Sequence, residues 1–150
     1  MRLTIIVGGR FHAFDLAYQL QKKKIIFELI TSYPKFIVKK YNIKINNIRS
    51  IFIKEFLKRF FDKFKFISSI FDYNYWLNYY FSIIAANITN YNNTDILIGW
   101  SGFSYRSFKK AQKFNCIKIL ERASTHILNQ IKILKEEYKI LKLKPIFPSK

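Results

Sequence analysis

Two rhythms of apolar residues alternate along this chain. Short, largely apolar runs over 3–7, 25–31, 48–53, 96–100 and 116–120 predict five strands, apolar on both faces. Between them, spacings of three and four predict helices. The first follows Gly8-Gly9, runs through Phe14, Leu16, Ala17 and Leu20, and closes on Lys22 to Lys24, as the negative end of its dipole prefers. Pro34 steers Tyr33 away from helix and ends the second strand, and a short helical turn is expected over 36–41. Longer helices are expected over 54–67 and 73–91, followed by the turn cluster Asn92-Asn93-Thr94-Asp95. Another runs through Phe108, Ala111 and Phe114 with Ser104 as its cap. A last helix places Ile127, Leu128, Ile131, Leu134, Tyr138 and Leu141 on one face, capped by Ser124 or Thr125. Strands of this kind alternating with helices imply an α/β fold with a Rossmann-like, doubly wound parallel sheet. The length of 150 residues suits one domain, and no repeat or low-complexity linker divides it.

The helix over 54–67 carries two readings. Phe56, Leu57, Phe60, Phe61, Phe64 and Ile67 share one face, and Lys58, Arg59, Asp62, Lys63 and Lys65 crowd the other. Packing of the phenylalanine face on the sheet is the favoured reading. A membrane interface, where such a face enters the headgroup region, is the alternative.

Charge widens the choice of partners without making it. A formal net charge of +18 attracts phosphate groups, nucleic acid or an anionic membrane face. The basic residues are dispersed and form no recognised nucleic-acid motif, so nucleic acid is not expected as a partner. The single cysteine, Cys116, fits a reducing compartment and packing at a strand start. A cytoplasmic location follows as the expectation, with peripheral attachment to the inner face of the membrane left open. The apolar start is very short and meets Arg10, His12 and Asp15 at once, which favours a buried strand over a signal peptide. There is no Cys/His cluster with metal spacing, and no metal or cofactor is expected.

Candidate chemistry gathers at three strand ends, Gly8-Gly9, Ser101-Gly102 and Glu121-Arg122, which a parallel sheet would deliver to one rim. Glycines there allow close approach of a ligand, and a following helix N-terminus favours an anion. Two glycines also make an ordinary tight turn, and the full dinucleotide fingerprint is missing. His12 and His126 stand beside these loops, as site residues or as plain loop and first-turn residues. Glu121 and Arg122 also read as a surface ion pair worth little.

With these segments placed, the chain resembles the N-terminal half of a family 4 (group 1) glycosyltransferase of the two-domain GT-B architecture. The carrying residues are Gly8-Gly9-Arg10-Phe11-His12-Ala13-Phe14-Asp15-Leu16-Ala17, Ile30-Thr31-Ser32-Tyr33-Pro34, Gly99-Trp100-Ser101-Gly102-Phe103-Ser104, Leu120-Glu121-Arg122-Ala123-Ser124-Thr125-His126-Ile127 and Glu136-Glu137-Tyr138. The resemblance implies an acceptor-side domain that helps move a sugar from a nucleotide sugar to a hydroxyl of a glycan or lipid-linked acceptor. It implies catalytic roles for His12 and His126, and substrate-binding roles for Gly8, Gly9, Arg10, Ser101, Gly102, Glu121, Arg122 and Ser124. Ala123 stands where relatives commonly have glycine. The chain ends over 145–150, where the resemblance implies a linker into a separate nucleotide-sugar domain. That implies a fragment, a truncated product or one half of a split enzyme, weak or inactive alone, since one wall cannot hold donor and acceptor together.

Overall fold

A computed structural model of the chain describes residues 1–63, 72–122 and 127–144. Five strands form one sheet: β1 (Arg2–Val7), β2 (Ile26–Thr31), β3 (Ile48–Ser50), β4 (Ile96–Trp100) and β5 (Ile117–Glu121). Their spatial order is β3-β2-β1-β4-β5, and every neighbouring pair is parallel. The described helices are α1 (Ala13–Lys22), α2 (Lys35–Lys39), α3 (Ile53–Asp62), α4 (Tyr73–Ile88), α5 (Tyr105–Ala111) and α6 (Ile127–Ile140). This is the Rossmann-like α/β arrangement, with the sheet wound on both faces.

The alternation of side chains along β1 builds two cores. Leu3, Ile5 and Val7 point to one face and pack with Ala13, Phe14, Ala17 and Leu20 of α1. Ile6 points to the other and packs with Ile30, Leu97, and Phe81 and Ala85 of α4. Phe14 is fully buried, its ring edge-on to Tyr33 at 5.7 Å and to Tyr41 at 5.2 Å. Burying such a side chain contributes about 1.5–3 kcal/mol.

Several elements end differently from the sequence pattern. β3 stops at Ser50 instead of continuing to Ile53, because the Ser50 hydroxyl donates to the Tyr33 carbonyl at 2.7 Å and the chain turns into α3. α4 stops at Ile88, where Thr89 turns extended and its hydroxyl donates to the Ala85 carbonyl at 2.7 Å. Tyr91 instead opens a short 3-10 turn. Ser104 stands at the start of α5 but makes no side-chain cap; its hydroxyl donates back to the Trp100 carbonyl at 2.8 Å.

Three larger corrections concern burial. Among the described residues β5 pairs only with β4 and is an edge strand, with Ile117, Ile119 and Leu120 exposed. Its largely apolar run, interrupted by Lys118, does not signal two covered faces. α6 forms, yet none of its described side chains is buried, so its apolar face does not close the core as its periodicity implies. The third correction is α3, which packs chiefly against α4. Leu57 and Phe61 turn toward α4, while Phe56 and Phe60 are exposed. Phe64 and Ile67 lie outside the described residues, as do the caps proposed at Ser124 and Thr125.

Phe14→Ala is expected to lower unfolding stability in urea by about 3–5 kcal/mol. Phe56→Ala should change it by less than about 0.5 kcal/mol, as for other exposed positions. Equal losses at the two positions would contradict the packing described.

Candidate functional site

β1 and β4 are neighbours, but the chain leaves them toward opposite faces: α1 packs in one core, and Ala111 of α5 lies in the other. The loops after them therefore diverge, and a crevice opens at the carboxyl ends of the two strands.

Gly8 and Gly9 form the β1 side. A Cβ on Gly8 would lie inside the ring of Phe103, so glycine is the residue that lets the β4 loop close over the β1 end. The Gly9 carbonyl accepts the Thr31 hydroxyl at 3.2 Å. Phe11 then turns through a left-handed conformation, φ 41°, which bulky residues seldom adopt. That turn brings His12 to the head of α1, where its imidazole makes no cap bond. The imidazole lies 5.1 Å from the Trp100 ring, and its Nε2 is 3.4 Å from Glu121 Oε1. Three strand ends, β1, β4 and β5, thus meet at one side chain. The Ser101 N–H donates to the Glu121 carbonyl at 2.9 Å, which holds the β4 and β5 tips together. Ser101 and Gly102 are exposed beyond them, Gly102 with a φ of 87° that suits glycine.

Of the residues singled out in the sequence, Gly8, Gly9, His12, Ser101, Gly102 and Glu121 are brought to this crevice. Arg10 turns aside, its guanidinium 4.8 Å over the Tyr41 ring. Glu121 pairs with His12 and not with Arg122, which is exposed after β5. Ser124 and His126 lie outside the described residues.

The sequence reading missed Lys54. It is the one buried residue of α3, and its Nζ donates to the Gly8 carbonyl beneath the crevice. The ammonium also sits 4.8 Å from the Phe103 ring centre and 5.8 Å from that of Phe81. Glu55 Oε1 lies 3.8 Å away and accepts the Ser32 hydroxyl at 2.7 Å. Burial pulls the Lys54 pKa below the ordinary lysine value; Glu55 opposes the shift and Lys58 adds to it. One signal was present: Lys54 falls on the same helical stripe as Leu57 and Phe61, three and seven residues on.

The chemistry available is acid–base and hydrogen-bonding. A carboxylate on one imidazole nitrogen orients the ring and leaves the other nitrogen facing outward for hydrogen bonding or proton transfer. The N-terminus of α1 beside it favours negative charge. Among the described residues, no group of three or more His, Cys, Asp or Glu side chains is placed to hold a metal ion. Comparison of the chain with known protein families, curated proteins and solved structures found no match.

Lys54 also fixes a pH signature. A depressed lysine pKa means that the folded chain releases its proton first. Between that pKa and the ordinary 10.5, the unfolded chain holds more protons and stability rises with pH. Tyr73 and Tyr91 act oppositely, since a bond to Asp62 raises the first and burial raises the second. Comparison with Lys54→Met cancels the tyrosines. The stability of the wild type relative to Lys54→Met, from urea unfolding, should therefore rise as pH approaches 10.5. A flat or falling difference would contradict a desolvated Lys54.

Proposed function

We propose that the crevice between the β1 and β4 loops is one wall of a sugar-transfer site, with this chain as its acceptor-side domain. The observation that carries the reading is His12, held between Trp100 and Glu121 where three strand ends converge. In this reading His12 Nδ1 takes the proton of the attacking acceptor hydroxyl while Glu121 holds Nε2. Gly8 and Gly9 keep the crevice floor free of side chains, so that a sugar ring can approach the backbone. The N-terminus of α1 stabilises charge that develops on the departing nucleoside diphosphate. A nucleotide-sugar domain facing the crevice would supply the donor, and a glycan or lipid-linked saccharide would be the acceptor. The residues Gly8 to Ala17 and Gly99 to Ser104, on which the glycosyltransferase resemblance rests, support the same assignment.

The test combines saccharide binding by this chain with transfer assays in which a nucleotide-sugar-binding domain is supplied. Saccharide binding is expected for the wild type. His12→Ala should leave it within about threefold and lower transfer by on the order of 10²–10⁴-fold, the usual contribution of a positioned base. Undiminished transfer by His12→Ala would remove the proposed base. Absence of both saccharide binding and transfer in every combination would overturn the reading.

A further inference from the structure

We propose that the outer face of the α3–α4 pair docks on an anionic membrane surface. The two helices run antiparallel and zip along their inner stripes. Lys54 lies under Phe81, Leu57 packs near Leu77, and the Phe61 ring lies 5.3 Å from that of Tyr73. The Tyr73 hydroxyl donates to Asp62 and closes the far end. The inner stripes thus pack on each other, and several side chains on the outer side of the pair are exposed. On α3 the exposed outer residues include Ile53 and Phe56; on α4 they include Tyr80 and Ile84, which border the groove beside Leu57. Phe56 is 68% exposed and Tyr80 56%, figures that packing within the described fold does not explain.

Charge selects the occupant. Arg59 and Lys63 lie on the same outer side of α3 as Phe56 and are exposed. The acids of that helix are engaged, Asp62 by Tyr73 and by Lys58 at 3.9 Å, and Glu55 by Ser32 and Lys54. Aromatic side chains interleaved with cations suit the headgroup region of an anionic bilayer, where Trp and Tyr rings are also favoured. A second copy of the chain would bring another +18 against the first, which disfavours self-association through this face. None of the described helices is long and apolar enough to cross a membrane, so the contact is a surface one. This proposal goes beyond the sugar-transfer reading and does not depend on it.

Flotation with vesicles of phosphatidylcholine alone, and of phosphatidylcholine with phosphatidylglycerol, tests it. The full chain is expected to float with the anionic vesicles only, and less at high salt. Phe56→Ser with Tyr80→Ser should weaken flotation on the order of tenfold with an unchanged unfolding midpoint. Arg59→Glu with Lys63→Glu should weaken it too. Phe36→Ser, an exposed aromatic on α2, should not. Salt-sensitive flotation indifferent to Phe56→Ser with Tyr80→Ser would mean attraction by net charge alone and would overturn the proposal. So would absence of flotation, or a lipid-free dimer that the same double substitution abolishes.

Discussion

Burial of β1 on both faces and both edges governs this molecule. It pairs with β2 on one side and β4 on the other, and each of its faces meets a separate core. A parallel strand in that position forces the chain to build outward in one direction, return, and build in the other, because crossovers are right-handed. The return runs from β3 through α3 and α4 to β4. The reversal opens the crevice, so the place where a ligand can sit follows from the topology before any polar side chain is considered.

Lys54 ties that return crossover to the β1 loop. A buried ammonium is costly to desolvate, and a single exposed-type pairing would not offset it. Here the Gly8 carbonyl accepts a bond, Glu55 supplies a nearby negative charge, and the faces of Phe103 and Phe81 flank the cation. The same contact fixes where the β1 loop stands relative to Phe103, whose ring occupies the space a side chain on residue 8 would need. Stability and crevice shape are therefore one problem at this position. Replacing either partner alters both.

The architecture was legible because buried parallel strands leave unbroken apolar runs, and Ile5, Ile6 and Val7 or Leu97 and Ile98 are such runs. The juxtaposition of His12, Ser101 and Glu121 was legible in kind, since parallel strands send their carboxyl ends to one rim. Their partners were not. Nothing local to Glu121 distinguishes His12 from the adjacent Arg122; the choice is made by the left-handed turn at Phe11. Ser104 has the right residue type for a helix cap, but the Trp100 carbonyl competes for its hydroxyl and wins. Periodicity could not foretell the exposure of Phe56 or of β5, because it reports a shared face and not what covers it. Lys54 was hidden by its charge, which pattern reading assigns to solvent. The comparisons with known proteins leave the functional reading resting on this geometry.

The central claim is that the reversal between β1 and β4 is where this protein meets its substrate. The most direct measurement is backbone amide chemical-shift mapping of the labelled full chain during titration with saccharide acceptors and nucleotide sugars. The account requires the largest saturable shifts at Gly9, His12, Ser101, Gly102 and Glu121. Saturable shifts confined elsewhere, for example to the groove of about 690 Å³ lined by Pro34, Phe36, Ile45 and Phe52, would contradict it.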